Sequence, residues 1–203
     1  MMEPLQSVSR ETSVSLDILC HMVERWNKAI NLVSHSTVAH LRTRHIADSL
    51  QLLQYAPKNL QHWVDLGSGG GFPGLVIAAC LADSDPKCRV TLVESDQRKA
   101  VFLREAARNM GLETQVIAER IETAQNQKAD VVSARALASL SVLLLYAQNH
   151  LVKDGIGIFP KGQSLQAEIS DAEAAGWKFD AVYHTSVTDQ TGNIMIVQKI
   201  SRV

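Results

Sequence analysis

The sequence has little of three things that would narrow its function at once. Cysteine occurs three times in 203 residues, as Cys20, Cys80 and Cys88, with no CxxC pair. Such a set excludes a disulfide framework and a zinc site, and it suits a reducing compartment such as the cytoplasm. Charge of one sign is not in excess: Lys and Arg total 20, Asp and Glu 21, for a net charge of −1. A free-standing nucleic-acid binder is usually basic, so any RNA contact must rest on a local basic surface. Long apolar runs are missing too. The longest uncharged stretches, 66–82 and 136–151, are broken by Gly, Ser, Gln or Asn and do not read as membrane spans. The first twelve residues hold no apolar core of a signal peptide, and none is expected. No HExxH, P-loop or Gly-x-Ser-x-Gly occurs, and no Pro-Cys dipeptide.

What remains is ordinary globular composition, 46% hydrophobic and 20% charged. A chain of this length buries roughly 70% of its unfolded surface and needs no staple. The first sixty residues read as helical. Leu16, Leu19, Cys20, Val23 and Trp26 share one face between Ser13 and Lys28, with Ser13 as N-cap. A second helix is expected over Val38 to Tyr55, ended by Pro57. Strand-like runs then alternate with helical ones. Trp63–Leu66, Val90–Glu94, Val116–Ala118, Asp130–Ala134 and Ile156–Phe159 read as strands, and 74–83, 96–110, 137–151 and 164–175 as helices. Gly111 and Gly176 sit where C-terminal caps belong. The pattern implies a mostly parallel sheet covered on both faces. Two further strands, Phe179–His184 and Ile194–Ile200, have no helix between them and form a terminal antiparallel hairpin. The expected organisation is a helical extension over 1–60 and one compact unit over 61–203.

The stretch from Trp63 to Gly74 is the most informative. A buried strand runs into Gly67, Gly69, Gly70 and Gly71, then into an apolar helix opened by Pro73. Glycines let a ligand touch the backbone, and the helix start offers unpaired N–H groups. Two templates fit. Asp65-x-Gly67-x-Gly69-x-Gly71 is the acidic-x-G-x-G-x-G pattern of class I S-adenosylmethionine (SAM) methyltransferases. Gly69-x-Gly71-x-x-Gly74 also satisfies the dinucleotide fingerprint. Glu94, ending the second strand, can accept from both hydroxyls of a ribose in either cofactor. The terminal hairpin favours the methyltransferase topology, a Rossmann-like fold with a seven-stranded sheet. Ser133-Ala-Arg-Ala136 stands where amino-methyltransferases carry Asp/Asn-Pro-Pro-Tyr.

Several segments together resemble one family, the bacterial 16S rRNA guanine-N7 methyltransferases, also called glucose-inhibited division protein B. They are Trp26-Asn-Lys with Asn31-Leu, Arg44-His-Ile-Ala-Asp-Ser-Leu50, Asp65–Gly74, Arg120-Ile-Glu122, Ser133–Ala136 and Lys161-Gly162. They run in order over most of the chain. One departure is Glu94, where the family more often has Asp. The resemblance implies methyl transfer from SAM to N7 of a guanine in small-subunit rRNA, nucleotide 527 in the usual numbering. It implies SAM contacts from Gly67, Phe72, Ile121, Glu122 and Arg135, beside the loop's Gly69 and Gly71. Glu119 competes with Glu122 for its role.

Guanine N7 carries a lone pair and no hydrogen, so no general base is required and positioning can do most of the work. The product is cationic, which assigns Arg135 and Lys161 to carboxylate, phosphate or guanine O6 contacts rather than to N7. His45 is a candidate for the substrate side or a structural histidine. Arg44 and Asp48, i and i+4, are expected to pair. Arg98, Lys99, Arg104 and Arg108 form either a solvated face or an RNA footprint. The expected partners are 16S rRNA or the small ribosomal subunit, with no metal and no membrane, acting as a monomer. Rival readings are a small-molecule methyltransferase of the same fold, an NAD(P) oxidoreductase supported only by residues 69–74, and a SAM-binding module without catalysis.

Overall fold

The computed structural model describes residues 8–203. The first helix, α1, runs Arg10–Trp26. It begins one turn earlier than expected: Ser9 is the N-cap, its hydroxyl accepting the Thr12 N–H at 3.0 Å, and Ser13 lies inside the helix. Thr12 extends the buried stripe of Leu16, Leu19, Cys20 and Val23, so the apolar face reaches further back than aliphatic residues alone indicate. Asn27 then turns the chain. Its buried amide oxygen accepts the Leu32 and Val33 N–H groups at 2.8 and 3.0 Å.

The expected second helix is instead a chain of short helical pieces. A 3₁₀ segment covers His35–His40, a wide π turn Arg42–Ile46, the α-helix α2 Ala47–Leu50, and a second 3₁₀ segment Gln51–Tyr55. Side-chain bonds to the backbone compete with a uniform ladder here. Thr37 donates to Ser34 O at 2.9 Å and Ser49 to His45 O at 2.6 Å. The wide turn carries Arg44 and His45, and Asp48 follows it.

The remaining elements alternate as expected: β1 His62–Leu66, α3 Gly74–Ser84, β2 Arg89–Val93, α4 Gln97–Asn109, β3 Thr114–Ile117, β4 Ala129–Ser133, α5 Leu140–His150, β5 Leu151–Lys161, α6 Leu165–Ala174, β6 Trp177–Thr185 and β7 Asn193–Arg202. The seven strands stand in the order β3-β2-β1-β4-β5-β7-β6. The β5–β7 and β7–β6 pairs are antiparallel and the others parallel, so β7 runs against the other six strands. Neighbouring strand residues point to opposite faces. Trp63, Val131, Ile158 and Ile194 join one core with α1, α3 and α4. Val64, Val132, Phe159 and Met195 join the other, under α5 and α6. Leu32, Leu41, Ile46, Leu50 and Leu52 belong to the first core, so the N-terminal segment packs on the sheet's own hydrophobic layer. No helix among the described residues is long and apolar enough to cross a membrane.

Buried Gln51 ties this segment to the turn between β6 and β7. Its Nε2 donates to Asp48 Oδ1 at 2.8 Å and to Ser186 Oγ at 3.1 Å, and its Oε1 accepts the Val187 N–H at 3.0 Å. Gln51→Ala strands these partners in a largely dry site and is expected to destabilise the fold by about 1–3 kcal/mol. Denaturant unfolding checks this; an unchanged midpoint would show that the tie is redundant.

Candidate active site

The glycine loop follows β1 at the carboxyl edge of the sheet. Gly67, Gly69 and Gly71 have φ of +67°, +52° and +87°. Their roles differ. A Cβ on Gly69 would meet only Gly67 O, at 3.7 Å, so this position opens onto free space. A Cβ on Gly70 would lie 3.0 Å from Leu32 O, and one on Gly71 2.6 Å from Leu75 Cδ1. Those two glycines admit the neighbouring chain rather than a ligand. The Asn27 turn is what holds Leu32 against the loop.

Glu94 follows β2 and faces the loop. Its Oε2 accepts the Gly69 N–H and its Oε1 the Asp96 N–H, both at 2.8 Å. Each oxygen keeps a second lone pair. Gly67, Gly69 and Glu94 line a cavity of about 290 Å³ together with Ile121, Glu122, Arg135, Leu137, Lys99, Arg120 and Tyr146. Glu122 Oε1 accepts the Tyr146 hydroxyl at 2.6 Å, which holds its carboxyl below the usual range. Glu119 lines a different hollow, beside His62 and Arg89. Between the two candidate acids, Glu122 is the one in this cavity.

A second cavity, of about 650 Å³, adjoins the first. Both are lined by Arg135, Ala136 and Leu137, which form the wall between them. Ala136 has φ +50°, a conformation costly for any residue with a Cβ, in the segment that leaves β4. The larger cavity is also lined by Arg44, Asp48, Lys161, Glu168, Asp189 and Asn193.

Arg135 is clamped in this wall. Its Nη1 lies 3.3 Å from Asp48 Oδ2 and 3.4 Å from Arg44 O, and its Nη2 2.7 Å from His45 Nδ1. A guanidinium only donates, so Nδ1 of His45 accepts and Nε2 carries the proton, donating to Thr37 Oγ1 at 2.9 Å. Burial first, then the charges of Arg135 and Arg44, lower the His45 pKa from 6.5 to about 4. Phe72 lies beneath this group, its ring 5.0 Å from that of His45 and 5.7 Å from the Arg135 guanidinium. Phe72 is buried and does not line the smaller cavity; nor does Gly71. The expected Arg44–Asp48 pair does not form, because Asp48 turns to Arg135, Gln51 and Thr188. Lys161 is paired with Glu168 at 2.5 Å on the wall of the larger cavity. Glu168 also accepts the Leu140 N–H at the start of α5. On the basic helix α4, Arg98 pairs with Asp96, Arg108 with Glu105, and Arg104 donates to Val116 O.

A family model described as "rRNA small subunit methyltransferase G" matches residues 13–197. The chain belongs to this family. It is 47% identical over 196 residues to the ribosomal RNA small subunit methyltransferase G of Cereibacter sphaeroides, covering 97% of this chain and 95% of that protein. Its counterpart in Gluconobacter oxydans is 46% identical over 199 residues, covering 98% and 100%. Among solved structures, a MtNAS variant in complex with S-adenosylmethionine superposes with a TM-score of 0.60 at 17% identity, covering 93% of this chain and 74% of that one. This last likeness shows the class I methyltransferase fold expected from the sequence.

The smaller cavity fits the family's cofactor chemically. Gly69 leaves the backbone open, Glu94 has spare lone pairs for a diol, and Ile121 and Leu137 supply apolar walls for a base. Leu137 and Tyr146 escaped sequence reasoning as site residues, and Lys99 was read only as part of the basic face of α4, not as lining this cavity. Tyr146 looks like one more apolar position of α5, and Lys99 like one more charge of α4.

His45 should stay neutral down to about pH 4, followed by its ring carbon protons in NMR. Its folded pKa is below the unfolded value. Its contribution to stability is therefore full above pH 6.5 and lost as pH falls toward 4. Arg135→Ala removes one of the three causes and should raise the His45 pKa. Titration of His45 near 6.5 in the intact protein would refute the clamp.

Proposed function

We propose that this protein transfers the methyl group of SAM to N7 of a guanine in 16S rRNA, the guanine at nucleotide 527, acting as a monomer in the cytoplasm. One observation carries the reading: a cavity with a glycine-and-carboxylate cradle shares a wall with a larger, charge-lined cavity. This occurs in a chain 47% identical to a ribosomal RNA methyltransferase. Bound in the smaller cavity, SAM supplies an electrophilic methyl on a sulfonium. Glu94 would hold its ribose, Gly67 and Gly69 would lie along it, and Ile121, Glu122 and Arg135 would border it.

The larger cavity would receive the guanine with N7 toward the wall. The N7 lone pair forms the new N–C bond while the C–S bond breaks, its electron pair leaving on sulfur. No proton moves. The site agrees with that economy. His45 is neutral with both nitrogens bonded, and Lys161 is held by Glu168, so neither is a free base. They hold Arg135 and the cavity wall in shape. Neutral His45 also adds no positive charge beside a guanine that takes over the charge of the sulfonium.

SAM or S-adenosylhomocysteine should raise the melting temperature, and NAD(P) should not. A ligand at about 100 times its Kd stabilises by roughly 2.7 kcal/mol. Gly69→Val should abolish the shift by filling the open position. A melt that responds to NAD and ignores SAM would sink the cofactor assignment.

Arg135→Ala should lower kcat/KM on 16S rRNA by about 10²-fold or more, roughly 2.7 kcal/mol. Arg135→Lys should not rescue it, because a point charge cannot reach His45, Asp48 and the Arg44 carbonyl together. Labelled SAM offered with ribosomal subunits, naked rRNA or no RNA provides the assay. Label that appears without RNA would favour the small-molecule reading, and near-normal turnover by Arg135→Ala would make the residue purely structural.

A further inference from the structure

Three carboxylates line the larger cavity, and their partners differ. Asp48 is engaged by Arg135, Gln51 and Thr188. Glu168 is engaged by Lys161, Ser164 and the Leu140 N–H. Asp189 is not filled in this way. Its Oδ1 accepts the Thr191 N–H at 2.9 Å and the Thr191 hydroxyl at 2.7 Å, and its Oδ2 has no hydrogen-bond partner among the described residues. The Thr191 bonds, and then the Arg44 charge, hold this carboxyl below its ordinary range, so it is ionised at neutral pH.

Asp189 sits on the turn between β6 and β7, and that turn is fastened to the wall. Thr188 donates to Asp48 Oδ1 at 2.9 Å, and Asp48 Oδ2 holds Arg135 at 3.3 Å. The Gly192 N–H bonds Asp189 O at 2.9 Å, closing the turn. The position of the carboxylate is therefore coupled to the Arg135–Leu137 wall through two hydrogen bonds.

A purine presenting N7 to that wall turns its N1 and C2 edge away from it. In guanine that edge carries N1–H and an amino group, two donors. In adenine it carries an acceptor at N1. We propose that Asp189 reads the guanine, its Oδ2 accepting from N1–H and the 2-amino group. The assignment rests on the guanine-N7 reading and names the residue that would make it selective. It also gives Asp189 a part in the rate. Methylation places positive charge on the purine, its N1–H and amino protons become more acidic, and the bonds to Asp189 strengthen as the N–C bond forms.

The test uses the full chain and two ligated 16S rRNAs, with guanine or inosine at the target nucleotide. Inosine lacks only the 2-amino group. The wild-type chain should prefer guanine by about 10-fold or more in kcat/KM. Asp189→Ala should lose about 10- to 100-fold on guanine and show no further loss on inosine, with SAM affinity unchanged. Asp189→Asn keeps an oxygen for the Thr191 turn and should lose the preference as well. A wild-type chain indifferent to inosine, or variants that retain its full preference, would overturn the assignment while leaving the methyltransferase reading standing. A wild-type chain that labels neither RNA, naked or assembled into small subunits, would overturn both.

Discussion

Asp65 has no exposure to solvent at the end of β1, and three segments are tied through its carboxylate. Its Oδ1 accepts the Ser133 hydroxyl of β4 at 2.7 Å, and its Oδ2 the Gly74 N–H of α3 at 3.2 Å. The Trp63 indole closes the chain on Ser133 Oγ at 2.9 Å. The glycine loop leaves β1 and re-enters at α3, so its two ends are fixed by this one group. Gly74 cannot be replaced without strain, because a Cβ there would stand 2.7 Å from Asp65 Oδ2. Burial raises the Asp65 pKa from 3.8 to about 6, against the pull of its hydrogen bonds. Its folded pKa lies above the unfolded one. The stability it adds is full below pH 3.8 and lost as pH rises through about 6. His45 works in the opposite sense over much of the same range, so the two ends of the site partly offset each other on acidification.

The parts of the fold that repeat a simple period were legible in the sequence. The strands and helices from β1 to α6, the Gly111 and Gly176 caps and the terminal hairpin all follow from alternation and turn chemistry. The segment 35–55 was not, because its hydroxyl side chains compete with the ladder and no hydropathy pattern records that. The start of α1 was misplaced because buried Thr12 looks polar in a sequence.

Legibility of the site follows the same division. Backbone-driven features, the glycine loop and the strand-end Glu94, could be read directly. Side-chain allegiances could not. Arg44 and Asp48 have ideal helical spacing, yet the wide turn and the approach of Arg135 give Asp48 a different partner. Phe72 belongs to the loop's motif, and its ring packs beneath His45 rather than along the cavity. Nothing local marks Asp189. Its standing depends on which neighbours engage Asp48 and Glu168, a property of the assembled cavity.

Strand β7 lies between β5 and β6 although it follows both in the chain. All residues that line the smaller cavity precede Asn149, whereas the larger one needs Gly192, Asn193 and Ile194. During synthesis the two halves of the site therefore mature in a set order. The smaller cavity has its residues in hand before β6 is made. The larger cavity waits for β7, which alone joins β6 to the sheet and pairs with β5, Lys161 opposite Asn193 and Gly157 opposite Val197.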